Sequence, residues 1–178
     1  MRGRNWRCLG WVMLIVVILV AVGLGVIYSG VSNIAATYPD RGLVSWALST
    51  TMDRSVGRHA AGIKVPPLDD PALVRLGFQH YRGMCVECHG APGVAVGEAG
   101  RGLNPKPPLL VESVGDWEPG ELFWITKNGV RMTGMPAWGV THTDEEIWAM
   151  VAFMRGLPKL TPEAYKRLDR QVPPLAEE

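Results

Sequence analysis

The stretch Cys85-Val86-Glu87-Cys88-His89 determines how this sequence is interpreted, because its spacing matches a covalent attachment site for haem c. Two cysteines three positions apart on a helical turn can reach the two vinyl groups of one porphyrin. The adjacent His89 can then direct a ring nitrogen at the iron. A redox-active cysteine pair would need a βαβ setting, and a zinc site would need further thiols or imidazoles nearby. Only Cys8 remains, far upstream, so the sequence predicts one covalently bound haem c.

The N-terminal region predicts a single-pass membrane anchor at residues 8–28, which contain no charged residue and are rich in valine, leucine and isoleucine. A helix of this length would be roughly 31 Å long and could cross the hydrocarbon core. Three arginines lie within residues 1–7, and no charge follows the span until Asp40. This asymmetry predicts a cytoplasmic N-terminus at residues 1–7, an anchor in the cell inner membrane and a periplasmic location for the rest. The alternative is a cleaved signal peptide, although the apolar run is longer than usual for one.

Residues 29–68 have no obvious core pattern and are interpreted as a linker or docking segment. Within them, Val44, Ala47, Leu48 and Thr51 could form one or two amphipathic turns. The sequence leaves two interpretations open. One is a solvated tether with a short surface helix, and the other is a segment that docks the following domain against a partner.

Residues 69–158 are predicted to form one helical domain, and its first helix leads into the cysteine pair. Asp70 followed by Pro71 provides an acidic cap and a proline at the first helical position. Apolar residues then recur at spacings of three and four up to Cys85, which is typical of an amphipathic helix.

Two further helices are predicted in this domain. Pro119 begins one over residues 119–128, with Gly129 as its stop. Thr143 and Glu146 form a capping box that begins the other. Between and after the helices, residues 90–117 are predicted to be irregular loop, and residues 159–178 a C-terminal surface tail.

The iron needs a ligand opposite His89, and Met135 is the preferred candidate. It lies in Gly134-Met135-Pro136-Ala137-Trp138, where glycine and proline favour an extended loop from which a thioether could reach the iron. A His and Met pair raises the reduction potential of haem. A lone methionine is more often a packing residue, so other candidates remain: Met132, Met84, His59, His80 and His142.

Residues about 70–158 resemble a class I c-type cytochrome domain. Gly77 and Tyr81 lie eight and four residues before Cys85, where that family keeps a glycine and an aromatic, and Phe153 matches the aromatic of its terminal helix. Glycine removes a side chain at a helix crossing, and the aromatics fill the space around it. The resemblance implies an all-α class I cytochrome c fold, with three main helices around one haem, preceded here by a single transmembrane helix.

The resemblance also implies a proline whose carbonyl oxygen accepts a hydrogen bond from the second ring nitrogen of the iron-bound histidine. Such a contact fixes the orientation of the ring and raises its basicity. Pro108 is the best match, and Pro107 lies one position away. Candidates for the apolar shell of the haem are Leu103, Leu109, Trp124, Ile125, Val130 and Trp138.

These features together predict an electron-transfer protein rather than an enzyme, because an iron with two protein ligands cannot readily bind a substrate. The anchored domain is similar to haem-c subunits of respiratory complexes, which implies a redox protein or complex subunits as partners, and membrane lipid around the N-terminal helix. A formal net charge of +1 gives no indication of nucleic-acid binding. The alternatives are a structural haem subunit, and a five-coordinate haem that acts as a peroxidase or binds gases.

Overall fold

A computed structural model describes residues 2–38 and 42–175 of the chain, and for residues 2–5 and 7 it describes the backbone alone. The chain divides into two compact units, residues 1–38 and residues 39–178. Throughout the described ranges the regular secondary structure is helical, and the all-α prediction is confirmed. Asp40 and the last residues of the predicted tail, 176–178, lie outside the described residues.

The first unit contains helix α1, Arg2–Ser29, of which Cys8–Ser29 is long and apolar enough to cross a membrane. Gly30 follows directly with a φ of +67°, a left-handed conformation that favours glycine after a helix. The described side chains of α1 are exposed along its length. Helix α1 is therefore a candidate membrane anchor, and its orientation stays a prediction.

The second unit is built from helices of very different lengths. They are α2 (Gly42–Ala60), α3 (Pro71–His80), α4 (Val86–His89), α5 (Glu98–Gly102), α6 (Leu110–Ser113), α7 (Pro119–Asn128), α8 (Asp144–Met154) and α9 (Pro162–Gln171).

Helices α3, α7 and α8 begin at the residues that the capping signals predict. Asp70 Oδ1 accepts a hydrogen bond from the Ala72 N–H at 2.9 Å. Pro119 is the first residue of α7. At α8, the side chains of Thr143 and Glu146 each accept a hydrogen bond from the other residue's backbone N–H.

The core of the domain lies where α3 crosses α8. A Cβ atom at Gly77 would overlap the carbonyl oxygen of Ala149, so only glycine allows the two backbones to lie this close. The Phe153 ring lies 5.3 Å from that of Phe78 and 5.2 Å from that of Tyr81, measured between centroids. The crossing implied by the class I resemblance is therefore present, with the aromatic side chains around it.

The prediction of only one or two turns within residues 29–68 was wrong, because α2 is a long helix that packs against α7. Val56 and Ala60 are buried, and His59 stacks on Trp124 with 5.5 Å between ring centroids. The apolar pattern was hard to detect because the buried stripe occupies only the second half of α2. Whether the segment also docks onto a partner stays a prediction.

The prediction of a surface tail after residue 158 was also wrong over α9. Tyr165 is buried, with its ring 5.5 Å from that of Phe78. Arg82 Nη1 donates to the carbonyl oxygen of Val172 at 2.8 Å and forms an ion pair with Asp169 at 3.3 Å. Helix α9 is mostly polar, and only Tyr165, Leu168 and the contact with Arg82 hold it on the domain, so its sequence pattern resembles a solvated tail.

Candidate haem site

The Cys-x-x-Cys-His motif lies at the end of a continuous helical course. Helix α3 passes through one π-helical turn, Tyr81–Cys85, into α4, which ends at His89. Such turns insert an extra residue and are frequent at functional sites. Gly90, with a φ of +65°, ends α4. The π-helical turn, which ends at Cys85, and α4, which contains Cys88 and His89, therefore place two thiols and one imidazole within five residues of one continuous helical course.

A hydrogen bond from Tyr81 fixes the end of the motif. The Tyr81 hydroxyl donates to the carbonyl oxygen of Gly90 at 2.5 Å, and the side chain is fully buried. Burial raises the pKa of Tyr81 well above its ordinary value, so the phenol keeps its proton and remains a donor. The sequence predicted Tyr81 as a packing aromatic, but nothing in the pattern indicated this bond.

Helix α5 packs directly on the motif. The Gly97 N–H donates to the carbonyl oxygen of Glu87 at 2.8 Å, and Glu87 Oε1 accepts from the Ala99 N–H at 3.2 Å. A Cβ atom at Gly100 would lie 2.7 Å from Cys88 Cα, so glycine permits this close approach. The run of glycines in the sequence indicated a loop, and its role against the motif depends on tertiary contacts that the sequence does not display.

His89 is held in the orientation and protonation state of a metal ligand. Its Nδ1 lies 2.8 Å from the carbonyl oxygen of Pro108. Because a carbonyl can only accept, Nδ1 carries the hydrogen and Nε2 keeps its lone pair. Burial lowers the pKa of His89, and the hydrogen bond to Pro108 opposes this more weakly. The structure thus brings together the two residues that the resemblance paired, while their contact with a haem stays a prediction.

The two thiols of the motif are free and differ in exposure. Cys85 is buried, and Cys88 is half-buried. Burial raises the pKa of Cys85 to about 12, with a further contribution from Cys88. Both sulfur atoms are therefore unconsumed by a disulfide, as attachment to two vinyl groups requires.

Met135 lies in a turn closed by its own hydrogen bonds. The Val130 N–H donates to the Met135 carbonyl oxygen at 3.2 Å. The Thr133 hydroxyl donates to the Val130 carbonyl oxygen at 2.7 Å and accepts from the Met135 N–H at 3.1 Å. Met135 is half-buried, whereas the Met132 side chain is 75% exposed. The role of Thr133 was missed, because only the folded turn brings its hydroxyl to both backbone groups.

Two glycines let this turn, residues 130–135, lie close to the rest of the domain. Gly129 has a φ of +66°, and a Cβ atom there would lie 2.7 Å from the carbonyl carbon of Pro136. A Cβ atom at Gly134 would lie 2.6 Å from the Leu103 side chain. Gly129 was predicted only as the stop of a helix, and it also permits the chain around Met135 to pack against the end of α7.

The side chains predicted for the apolar shell of the haem all retain solvent exposure. Leu109, next to Pro108, is 40% exposed. Trp124 stacks on His59, and the Trp138 ring lies 5.6 Å from the ring of His142. Five of the six are half-buried: Leu103, Trp124, Ile125, Val130 and Trp138.

The other candidate ligands occupy different environments. Met84 packs against the core cluster. His80 is buried between α3 and α8, His142 is half-buried with its ring 5.2 Å from that of His80, and His59 is exposed against Trp124. The choice of Met135 over these residues stays a prediction that its half-buried position and closed turn support.

The donor set fits a haem c. Two free thiols and an imidazole with an oriented Nε2 lie in one continuous helical course, and a thioether lies in a closed turn. Imidazole and thioether are the protein ligands of cytochrome c iron. Within residues 2–38 and 42–175, no group of three or more His, Cys, Asp or Glu side chains is placed to hold a metal ion, which a zinc site would require.

A comparison with protein families matches part of the second unit. Residues 72–154 match the family model described as cytochrome C oxidase, cbb3-type, subunit III. No curated protein matches the chain. The matched region runs from α3 to the end of α8, and it contains the motif, Pro108 and the turn that carries Met135. Helices α1, α2 and α9 lie outside it.

Proposed function

We propose that this protein, whose residues 72–154 are a c-type cytochrome domain with covalently bound haem c, transfers single electrons with His89 and Met135 as the axial ligands of the iron. The observation that carries the proposal is the 2.8 Å contact between His89 Nδ1 and the Pro108 carbonyl oxygen. The motif alone implies only that haem is attached. The contact adds that His89 donates through Nδ1, which leaves Nε2 available to a metal.

The chain contributes to electron transfer by holding both ligands still. When bound, the haem supplies an iron that cycles between the ferric and ferrous forms. Pro108 prevents rotation of the His89 ring, and Thr133 ties the Met135 backbone to Val130. The half-buried apolar side chains limit the access of water, which helps to keep the reduction potential high. A haem held by both His89 and Met135 would have no iron position left for a substrate.

We further propose that the haem domain lies in the periplasm, attached to the cell inner membrane, as a subunit of a respiratory complex or beside one. Helix α1 supports the attachment, and the arginines within residues 1–7 support the orientation. The description of the matched family, a subunit of an oxidase, supports the respiratory setting. The partners are accordingly redox subunits or a redox protein in the same membrane.

Absorption spectroscopy of the haem-loaded full chain tests the ligand set. We expect the oxidised protein to be low-spin and to show the weak far-red band of an iron–thioether bond. Met135→Ala should abolish that band and lower the reduction potential by a sizeable part of the ~0.8 V range that axial ligands control. Met132→Ala is the matched control, because this neighbouring methionine is exposed, and it should leave both unchanged.

Two outcomes would contradict the proposed ligation. The first is a high-spin spectrum in the unaltered protein, which would favour the five-coordinate alternative. The second is a far-red band that survives Met135→Ala and disappears in Met132→Ala, which would show that Met132, not Met135, is the thioether ligand.

A further inference from the structure

The polarity of α2 reverses halfway along the helix. Residues 45, 49, 52, 56 and 60 recur at spacings of three and four and therefore share one face. In the second half this face contains Val56, 1% exposed, and Ala60, which are buried on the domain. In the first half the same face consists of Ser45 and Ser49, both exposed. The side of α2 that contacts the domain is thus apolar only from Met52 onward.

On the opposite face of α2 the order of polarity is reversed, with apolar residues first and charged residues second. Leu43 and Ala47 lie on it in the first half, and Arg54 and Arg58 follow on the same face in the second. Leu43 is 75% exposed, and Val44 and Trp46, on either side of it, are 49% and 64% exposed. Leu48, which lies toward the Ser45 side of the helix, is 46% exposed. No residue from Gly42 to Met52 is charged. In the part of the chain that the structure describes, this apolar surface is uncovered.

We propose that the first half of α2 binds the surface of the membrane, with Leu43, Ala47 and their apolar neighbours in the headgroup region of a bilayer that contains anionic phospholipid. A helix with an apolar face, an interfacial tryptophan and arginines on its polar part is typical of segments that lie in the membrane interface. Residues 30–41 connect α2 to the candidate anchor, so the tether keeps α2 at a high effective concentration near the bilayer.

The arginines favour lipid as the occupant of this surface over a second protein. Arg54 and Arg58 form no ion pair with any described residue, and both are exposed. They follow the apolar residues on one face of a single helix. This order suits a helix whose first half contacts acyl chains and whose second half contacts lipid phosphate groups. A protein partner would have to provide an apolar groove and, next to it, two acidic groups spaced to match Arg54 and Arg58.

Such binding would also set the orientation of the haem domain. The opposite side of α2 packs on α7 through Val56 and Ala60, and α7 ends where the turn with Met135 begins. A membrane contact along α2 therefore fixes that end of the haem site relative to the bilayer. This inference needs the anchor but does not depend on which residue is the second axial ligand.

Spin labels on opposite faces of α2 test the proposal in the haem-loaded full chain. In a Cys8→Ser background the haem consumes the motif thiols, so Ala47→Cys or Ser49→Cys gives one labelling site. In nanodiscs of phosphatidylcholine and phosphatidylglycerol, we expect the label at position 47 to collide several-fold more with oxygen than with a water-soluble nickel chelate. The label at position 49 is the matched control and should show the opposite preference.

Lipid charge and crosslinking complete the test. Replacing both arginines, Arg54→Ser with Arg58→Ser, or using uncharged lipid alone, should reduce the protection at position 47. Equal exposure of the two labels to the nickel chelate would overturn the proposal. A benzophenone at position 43 that crosslinks in native membranes to protein instead of lipid would also overturn it.

The haem spectrum of each labelled protein controls for folding. Should either variant fail to fold, Leu43→Cys with Ser45→Cys repeats the comparison one turn earlier on each face. A redox titration of the same samples reports on electron transfer separately, so failure of the membrane contact is distinguishable from failure of the proposed function.

Discussion

His80 is a buried polar residue that the proposed electron-transfer site does not use. Its side chain lies between α3 and α8, and neither ring nitrogen has a hydrogen-bond partner among the described residues. The groups that face it are His142, at 5.2 Å between ring centroids, and Glu146, with Oε1 3.8 Å from Nε2. Burial is the largest cause lowering the pKa of His80, His142 adds to it, and Glu146 opposes both.

This pKa shift predicts a loss of stability in mild acid. Because the pKa of His80 is lower in the folded state, the unfolded chain binds more protons as the pH falls below about 6.5. The free energy of unfolding should then decrease by up to about 1.4 kcal/mol per pH unit from this one group. Urea unfolding of the holoprotein between neutral and mildly acidic pH measures the slope. His80→Leu should flatten it, and His59→Leu, which removes an exposed histidine, should not.

At the scale of elements, the crossing of α3 and α8 depends on Gly77. A Cβ atom there would overlap the Ala149 carbonyl oxygen and lie 3.0 Å from Phe153 Cβ, and neither neighbour is the far end of a flexible side chain. The two helices would therefore have to separate, which disturbs the aromatic contacts of Phe78 and Tyr81 with Phe153.

Gly77→Ala should accordingly lower the free energy of unfolding by about 1–3 kcal/mol, the usual cost of overpacking. Gly83→Ala is the matched control, because a Cβ atom at Gly83, in the same helical course, would meet nothing within 4 Å. Thermal or urea unfolding of the two haem-loaded variants measures the difference. Equal stability would show that the crossing does not require glycine.

The elements that could be predicted are those whose signals are local. Asp70, Pro119 and Thr143 mark helix starts by their own chemistry, and the structure begins α3, α7 and α8 there. Helices α2 and α9 were missed because a partner elsewhere in the sequence decides their structure. Val56 becomes buried only when α2 packs on α7, and Tyr165 becomes buried only when its ring packs against Phe78.

The same distinction applies to the site. Cys85, Cys88 and His89 follow from one short motif, and the proposed role of Met135 follows from its loop. The Tyr81 bond to Gly90 and the closing role of Thr133 depend on how backbone groups approach in the fold. The sequence shows which side chains are present, while their hydrogen bonds depend on distances between atoms that it does not contain.

At the scale of the whole molecule, the candidate anchor and the near-neutral charge suit the fixed partner that we propose. With a formal net charge of +1, the chain offers little long-range attraction to steer a diffusing partner. A tether compensates, since confinement to one membrane raises the effective concentration of both proteins.

We therefore expect the protein to co-purify with other redox subunits from gently solubilised native membranes. Native electrophoresis with haem staining should place it in an assembly larger than the 19.5 kDa chain. A version in which a cleavable signal sequence replaces α1 should keep its haem spectrum and lose most of this association. Recovery of the full-length protein solely as a monomer would contradict the proposed respiratory setting.

The closed turn at residues 130–135 bears on the speed of electron exchange. An electron moves fast when the surroundings of the iron need little rearrangement between its two oxidation states, that is, when the reorganisation energy is small. On the proposed ligation, the hydrogen bonds among Val130, Thr133 and Met135 hold the thioether's backbone in place in either state. The hydrogen bonds that close the turn would thus also keep the reorganisation energy small, so that the barrier to electron exchange stays low in both directions.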